Sequence, residues 1–409
     1  MGNSKRALLF IFLTILIDCM GIGIIVPSMP SLIQELTGGN ISAAAGYGGW
    51  LSFSYAIMAF ICSPILGGLS DKYGRRPILL ISLFGLGLDY IFLALAPTIF
   101  WLFIGRIIAG MCGASFTTAA AYIADVSDPK NRAKNFGMIG AAFGLGFILG
   151  PLLGSLFGTW GTRVPFMAAA GFSLLNFLFG YFVLPESLKK ENRRVFTWRR
   201  ANPFGSLKQL SKHRSVISLI FVLFLLNIAG HAMQSTWTYF CIERFSWTQA
   251  QVGYSLAFVG ICVAIVSGGL VGSAKKLLGT KKSIFVGLGI YVIGFLLFSF
   301  ADKGWMMFAF MVPYSLAGIA VPNIQSILTS RVSPNEQGEL QGGITSVVSL
   351  TAIIGPVLMT GSFSYFTKNP EKLYFPGIPF VIGGILALIC FIISYFALKK
   401  LQLVEHKNS

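Results

Sequence analysis

The sequence predicts an all-α membrane protein of twelve transmembrane helices, arranged as two six-helix bundles related by pseudo-two-fold symmetry. Three observations predict this class: long apolar segments, basic residues concentrated on one side of them, and a repeat that relates the two halves of the chain. Hydrophobic residues make up 55% of the 409 residues and charged residues only 11%, whereas soluble domains carry about 25% charged residues. No segment alternates with a period of two, as the strands of a membrane β-barrel do.

Twelve apolar segments are long enough to cross a membrane as helices. A helical crossing needs about 20 mostly apolar residues, because the hydrocarbon core of a bilayer is about 30 Å thick. The predicted spans are residues 7–30, 46–69, 77–96, 98–122, 136–158, 164–184, 215–241, 251–273, 282–300, 304–327, 340–366 and 376–398.

The basic residues report the orientation of these spans. If both termini are cytoplasmic, 25 of the 31 Lys and Arg residues lie in cytoplasmic segments and five lie on the other side, with Arg106 alone inside a span. Such an excess on one side is the positive-inside bias of membrane proteins. The net charge of +17 is therefore explained by membrane orientation, and we expect cytoplasmic termini and no nucleic-acid partner.

The chain divides into two halves at its longest polar segment. We expect an N-terminal bundle over residues 1–184, a basic cytoplasmic linker over 185–214 and a C-terminal bundle over 215–409. The dipeptide Gly150-Pro151 in the fifth span recurs 205 residues later as Gly355-Pro356 in the eleventh span. A repeated bundle of this kind is typical of transporters that rock two halves about a central site.

Four segments carry a resemblance to a known family. They are "GGLSDKYGRR" (67–76) after the second span, "GRIIAGMCGAS" (105–115) in the fourth, "GLGFILGPLLGS" (144–155) in the fifth and "DCMGIGIIVPSMP" (18–30) in the first. With these segments the chain resembles the major facilitator superfamily, and within it the drug/proton antiporters with twelve spans. The resemblance implies the major facilitator fold, a bacterial inner membrane and transport by alternating access.

Shorter segments narrow the resemblance to one class of exporters within this family. "LDY" (88–90), "AAYIAD" (120–125) and "LQG" (340–342) are similar to the tetracycline exporters of the Tet class. That class carries a functional histidine in span eight and an aspartate in span nine, and here Val263 and Tyr291 occupy those positions. We therefore expect the coupling, the substrate, or both to differ from those of the class.

Three ionisable residues lie within predicted spans of the first half. Asp18, Asp89 and Arg106 fall in spans one, three and four. An ionisable group at mid-bilayer costs roughly 2.5–3.5 kcal/mol on insertion scales, so such groups face a bundle interior or a wet cavity. We assign the two carboxylates to proton coupling, with Arg106 as their electrostatic partner. The alternative is a buried ion pair that fixes helix packing.

Polar residues in spans seven and ten are candidates for substrate contact. Asn227 and His231 lie four residues apart and thus on one helical face, with Gln234 a turn further on. His231 is also a candidate proton-coupling group, because a histidine changes its charge near neutral pH. Gln325 matches a glutamine of the Tet class. The alternatives are a hydrogen-bonded histidine near the outer membrane surface and a glutamine that bonds helix to helix.

The loop between spans two and three is a candidate gate. Gly68 and Gly74 would permit a tight turn and close backbone approach. Asp71, Arg75 and Arg76 would bridge to neighbouring helix ends, where the helix dipole adds to the charge interaction. The alternative is that the basic pair only fixes the orientation of the spans.

Span five carries a stripe of small residues. Gly146, Gly150 and Gly154 lie four apart and offer a surface on which another helix can approach closely. Pro151 is expected to bend the same helix. By resemblance these four residues form the antiporter motif.

Several function classes find no support in the sequence. No G-x-x-x-x-G-K-[ST] loop is present for ATP, and no nucleophile-plus-base motif suggests an enzyme. The six cysteines show no paired spacing, so we expect neither disulfides nor a metal site. The predicted energy source is the proton gradient, with no cofactor.

The sequence thus predicts a monomeric, proton-coupled secondary transporter that exports a small organic solute, as in drug or multidrug efflux and antibiotic resistance. One alternative is proton-coupled transport of an endogenous metabolite, such as a siderophore or another organic anion, received by Arg106. A second is a transporter-like sensor without turnover.

Overall fold

The computed structural model describes residues 3–113, 115–128, 131–198, 205, 217–333, 336–369, 371 and 373–408. Within these residues the chain consists of helices and their connections, without a strand, so the predicted all-α class is confirmed. Most of the predicted linker, residues 199–204 and 206–214, lies outside the described residues.

Eight α-helices build the first half of the chain. Their boundaries follow the polar and glycine-containing turns between the predicted spans. The helices are α1 (Asn3–Ile25), α2 (Met29–Thr37), α3 (Ile41–Tyr73), α4 (Arg75–Leu95), α5 (Ile99–Met111), α6 (Ser115–Val126), α7 (Arg132–Gly158) and α8 (Val164–Val183).

Seven further α-helices are described in the second half. A π-helical turn, Val266–Leu270, joins two of them, and a 3-10 turn, Ala317–Ile319, joins another two. The helices are α9 (Ile217–Phe245), α10 (Gln249–Ile265), α11 (Val271–Ser299), α12 (Gly304–Leu316), α13 (Ala320–Ser330), α14 (Gln337–Lys368) and α15 (Ile378–Asn408).

Eleven continuous helical segments of the described chain are long and apolar enough to cross a membrane. One of them, Gln249–Ser299, has 51 residues and would measure about 75 Å if straight, against an apolar thickness of about 30 Å. Its backbone turns at Gly279, where φ is 74°. This segment therefore contains both the eighth and the ninth predicted span, and the eleven segments account for twelve crossings.

The chain folds into two compact units. Unit 1 comprises Met1–Asn40, Ser54–Pro203 and Trp247–Gly260, and unit 2 comprises Ile41–Phe53, Phe204–Ser246 and Ile261–Ser409. Each half of the sequence therefore contributes one short helical segment to the other half's unit. The domain boundaries predicted at residues 184 and 215 stay a prediction.

The core of unit 1 forms around α1. The buried face of this helix, with Phe10, Ile11 and Ile15, packs against Leu79 of α4 and Tyr122 of α6. The helix makes its most extensive contact with α7. A helix surrounded on several sides by apolar side chains is typical of a bundle interior.

The core of unit 2 forms where α9 meets α11, α14 and α15. Leu219, Leu223 and Leu226 of α9 pack against Ile284 of α11 and Ile344 of α14. Nearer the other end of α9, the ring of Trp237 lies edge-on to that of Phe298, with 5.3 Å between the ring centroids. Edge-to-face aromatic pairs of this kind add to the stabilisation from burial.

Candidate functional site

Asp18 is a buried carboxylate in the middle of α1. Only 5% of its surface is exposed. Neither carboxylate oxygen has a hydrogen-bond partner of ordinary geometry among the described residues, although the hydroxyl of Ser115 on α6 faces it. An ionised carboxylate without a partner is costly in such surroundings. A proton or a cation bound at Asp18 would therefore remove the cost of burying its charge.

Asp89 and Arg106 form a buried ion pair between α4 and α5. Asp89 is fully buried, and the side chain of Arg106 is 13% exposed. Arg106 Nε lies 3.3 Å from Asp89 Oδ1, and Nη2 contacts Oδ2. A side chain at Gly105 would have its Cβ 2.7 Å from the carboxylate of Asp89, so the glycine allows the pair to form. The expectation that Arg106 partners both carboxylates is corrected: it bonds Asp89, and Asp18 is left without it.

Two tyrosines, neither of them a predicted site residue, complete this polar centre. The guanidinium of Arg106 lies 6.0 Å from the ring centroid of Tyr55, and Tyr55 interacts electrostatically with both Arg106 and Asp18. The hydroxyl of Tyr90 lies 2.7 Å from the point where a Cβ on Gly21 would stand. Tyr90 belongs to "LDY", one of the segments that resemble the tetracycline exporters, so the sequence offered a reason to consider it. Tyr55 lies in an aromatic stretch that matches no such segment.

The glycine stripe of α7 packs directly on α1. A Cβ on Gly146 would overlap Cys19, a Cβ on Gly150 would stand 2.8 Å from the Cα of Gly23, and one on Gly154 would overlap the backbone of Ile24. These contacts explain why small residues recur at this spacing, because helices approach closely where no side chain intervenes. The stripe therefore fixes the helix that carries Asp18.

The face of α7 next to the glycine stripe contacts the segment Trp247–Gly260, which comes from the second half of the sequence. The hydroxyl of Ser155 lies 2.8 Å from the backbone carbonyl of Pro151 and 2.9 Å from that of Gln249, so its one O–H can donate to either of them. A Cβ on Gly253 would overlap the Ser155 hydroxyl. The candidate antiporter motif is therefore held between α1 and α10.

The candidate gate lies at the turn between α3 and α4. Gly74 has a φ of 109°, a backbone conformation that favours glycine. Gly68 is not part of the turn, because α3 continues to Tyr73. Arg75 bonds Asp71 at 2.5 Å and Asp125 of α6 at 3.1 Å. The guanidinium of Arg75 therefore joins the ends of three helices.

Glu186, just after α8, also holds this turn and was not predicted. Its carboxylate accepts hydrogen bonds from the backbone N–H groups of Arg75 at 2.8 Å and Arg76 at 3.3 Å. These are the first N–H groups of α4, where a negative charge is favourable. The side chain of Arg76 reaches back to the carbonyl of Tyr181 at 2.6 Å.

The candidate substrate residues of the second half lie in unit 2. The imidazole of His231 packs against Gly355 so closely that a Cβ there would overlap it, and the amide of Asn227 donates to the carbonyl of Leu223 at 2.7 Å. Gln234 and Gln325 are exposed. Within the described residues no hydrogen bond joins Gln325 to the polar side chains of α9.

Among the side chains that the structure describes in unit 2, none is a buried acid comparable to Asp18. The acidic residues after residue 204 are Glu243, Asp302, Glu336, Glu339, Glu371 and Glu405, and all lie at helix ends or in connections. Val263 is half exposed. Tyr291 packs against the rings of Phe295 and Tyr314, with 6.0 and 5.4 Å between centroids. The two positions that carry charge in the Tet class are therefore apolar or aromatic here.

The repeated helical units and the membrane-embedded charges define a helical membrane transporter. The chain belongs to the Major Facilitator Superfamily, which it matches over residues 11–277 and 263–408. Because members of this family are transporters, the chain is a transporter rather than an enzyme.

Curated relatives extend over almost the whole chain. It is 38% identical over 388 residues to the tetracycline resistance protein, class C, of Escherichia coli, covering 95% of this chain and 96% of that protein. It is 36% identical over 376 residues to the class G protein of Vibrio anguillarum, covering 91% and 93%. With its apolar helices and bacterial relatives, the chain is a multi-pass inner-membrane protein.

Solved structures share the fold. A mutant of the nucleoside transporter NupG superposes with a TM-score of 0.79 at 14% identity, covering 97% of this chain and 100% of that chain. The human organic anion transporter MFSD10 (TETRAN) superposes with a TM-score of 0.71 at 22% identity, covering 96% and 100%. The predicted major facilitator fold is confirmed.

Proposed function

We propose that this chain exports a small organic solute, with drug efflux of the tetracycline-resistance type as the lead function, in exchange for protons. The buried carboxylate of Asp18, which forms no ion pair among the described residues, is the observation that carries the proposal. The tetracycline resistance proteins at 38% and 36% identity support the class of solute.

Asp18 is the proposed proton-coupling residue. When the carboxylate is enclosed in apolar surroundings, its charge is costly, and binding a proton or a cationic solute removes that cost. When the site opens to water, hydration restores the charged form and releases the proton. Competition between proton and solute for one carboxylate then couples their movements in opposite directions.

The Asp89–Arg106 pair has a positioning role in this proposal. Each charge neutralises the other, so the pair neither needs nor releases a proton as the site opens. Through Tyr55, which interacts with both Arg106 and Asp18, the pair sets the surroundings of the coupling carboxylate. Because Asp89 pairs with Arg106, this guanidinium is already engaged within the described residues, which favours a cationic or neutral solute over the organic anion of the metabolite alternative.

The other predicted residues take supporting roles. We propose that the solute is contacted by Asn227, His231, Gln234 and Gln325. One end of the transport path would be opened and closed by Gly68, Asp71, Gly74, Arg75 and Arg76.

The positions of the class's histidine and aspartate hold Val263 and Tyr291 here, so we infer that one carboxylate does the coupling. We further propose that the transporter is a monomer with both termini in the cytoplasm.

Proton movement in inverted membrane vesicles tests the proposed function. A pH-sensitive dye would follow the lumen of vesicles that contain the wild-type protein while tetracycline, then other cationic drugs, then polycarboxylates are added. We expect a proton flux with tetracycline or another cationic drug and its loss in Asp18→Asn. The matched control is Asp302→Asn, which removes an exposed acid in a connection and should leave the flux unchanged. A flux with polycarboxylates alone, or with no compound, would contradict the proposal.

A further inference from the structure

The segment that follows α8, residues 184–198, is fastened to unit 1 at both of its ends; we call it the strap. At its start, the carbonyl of Pro185 accepts a hydrogen bond of 2.9 Å from the hydroxyl of Tyr122. Toward its end, the backbone N–H of Arg194 donates to the carbonyl of Asp71, 3.0 Å away in the last turn of α3. The strap therefore stays at the level where α8 and α3 end.

The strap leaves large apolar side chains uncovered. The ring of Phe196 lies on Gly68, where a Cβ would stand 3.0 Å from the ring carbons, and the ring of Trp198 meets it edge-on with 5.2 Å between centroids. Trp198 is nevertheless 72% exposed and Val195 81% exposed. Exposed apolar groups on a segment that is held in place indicate a contact with another surface.

The strap is also basic. It carries four basic residues against two acidic ones, and Lys189, Lys190 and Arg194 are exposed. The carboxylate of Glu186 is already engaged by the backbone N–H groups at the start of α4. With both carboxylates ionised, the strap still has more basic than acidic side chains, and three of its basic side chains are exposed.

The end of α8 next to the strap lies where the predicted membrane span ends. Phe182 is 79% exposed and Tyr181 54% exposed in the last turn of this predicted span. The guanidinium of Arg76 lies 5.7 Å from the ring centroid of Tyr181. Aromatic side chains beside an arginine are typical of the membrane–water interface. The strap leaves α8 at this border.

We propose that the strap docks on the headgroups of anionic phospholipids in the leaflet at which α8 ends. Its basic side chains complement anionic headgroups, and basic segments beside a membrane are attracted to such lipids. Trp198 and Val195 would rest at the interface, where the indole has both apolar and polar partners. The partner is the membrane that the helices already span. The proposal is independent of which solute is transported.

Lipid quenching of tryptophan fluorescence tests this contact. The full chain would be placed in nanodiscs of phosphatidylcholine that contain equal fractions of either brominated phosphatidylglycerol or brominated phosphatidylcholine. Because the chain has seven tryptophans, the Trp198 signal is the wild-type signal minus that of Trp198→Phe. We expect stronger quenching of Trp198 by the anionic lipid. Removing one basic charge with Lys190→Gln should weaken the preference about fivefold at low salt, and high salt should weaken it further.

Trp160 provides the matched control. It is 69% exposed in the connection between α7 and α8, away from the strap, and the difference signal from Trp160→Phe should show no preference between the two lipids. Equal quenching of Trp198 by both lipids would overturn the proposal, because it would indicate apolar contact without charge recognition. No quenching by either lipid would also overturn it. So would shielding of Trp198 from aqueous acrylamide without lipid quenching, since protein would then cover it.

Discussion

The two units share one packing arrangement, in which a glycine packs against a hydroxyl and the proline carbonyl that accepts its hydrogen bond. They differ in the charged side chains that they bury. In unit 1 the hydroxyl of Ser155 donates to the carbonyl of Pro151 at 2.8 Å, and Gly253 lies against both. In unit 2 Thr360 donates to the carbonyl of Pro356 at 2.8 Å, and Gly49 lies against both.

The buried charges do not repeat in the same way. Unit 1 buries Asp18 on α1 and the Asp89–Arg106 pair. On α9, the helix that packs against Gly355 as α1 packs against Gly150, unit 2 places His231 at the glycine. Packing is thus common to both units, whereas the buried acids found among the described residues, Asp18 and Asp89, both lie in unit 1. This difference is the reason for assigning the coupling chemistry to unit 1.

The largest effect on stability is expected from breaking the buried pair of unit 1. Arg106→Leu leaves Asp89 buried without a partner, which should cost about 3–5 kcal/mol. Replacing both residues by leucine should restore most of the loss, because no unpaired charge remains. Thermal unfolding of the purified protein in detergent measures both effects.

An exposed ion pair in the same unit is the control for this prediction. Arg163 bonds Glu35 at 3.0 Å, with side-chain exposures of 30% and 44%. Exposed pairs contribute less than about 1 kcal/mol, so Arg163→Gln should lower the melting temperature far less than Arg106→Leu. Equal losses would mean that the Asp89–Arg106 pair is not desolvated.

The close contact of α7 with α1 predicts a smaller effect. Gly154→Ala places a methyl group against the backbone of Ile24, which cannot rotate away, and should cost about 1–3 kcal/mol. Gly144 lies on the same helix with nothing within 4 Å of a Cβ. Gly144→Ala should therefore be neutral or slightly stabilising, since alanine favours helices. If the two variants melt at the same temperature, the glycine stripe is not a contact surface.

The comparison of the two packing arrangements can be tested further at their glycines, Gly253 in unit 1 and Gly49 in unit 2. A Cβ on Gly253 would stand 2.5 Å from the carbonyl oxygen of Pro151, whereas one on Gly49 would stand 3.4 Å from that of Pro356. Because a backbone oxygen cannot move aside as a hydroxyl can, Gly253→Ala should cost about 1 kcal/mol more than Gly49→Ala. Unfolding of the two variants in parallel measures the difference, and the reverse order would show that the two contacts are not equivalent.

The smallest effect is expected at the start of α4. Glu186→Gln keeps an acceptor for the N–H groups of Arg75 and Arg76 but removes the charge, which should cost about 0.3–1 kcal/mol at low ionic strength. The loss should shrink as salt is added. Glu191→Gln, in the same segment but without these hydrogen bonds, is the control. A salt-independent loss would argue against a charge effect.

Much of this architecture could be predicted from the sequence. Hydropathy predicted the spans, because each must match the thickness of a bilayer. The spacing of Gly146, Gly150 and Gly154 predicted a close helix contact, although not that α1 is the partner. Asp18, Asp89 and Arg106 stood out because charges in spans are rare.

The pairing of these charges could not be predicted. Whether Arg106 meets Asp18 or Asp89 depends on which faces of α1, α4 and α5 meet, and span composition does not determine this. Glu186 lies more than 100 residues from the N–H groups that it binds, so no local pattern links them. The exchange of Ile41–Phe53 and Trp247–Gly260 between the units is likewise a property of the fold, because nothing in these segments differs from an ordinary span.

The most direct test of the central claim separates solute movement from proton movement in Asp18→Asn. In proteoliposomes, exchange of labelled solute between two equal pools needs no proton transfer, whereas accumulation driven by a pH gradient does. If Asp18 is the coupling carboxylate, Asp18→Asn loses gradient-driven accumulation but keeps measurable exchange, because the amide can still hydrogen-bond the solute, whereas the control Asp302→Asn retains both. Gradient-driven accumulation that persists in Asp18→Asn, or that is lost equally in Asp302→Asn, would contradict the account.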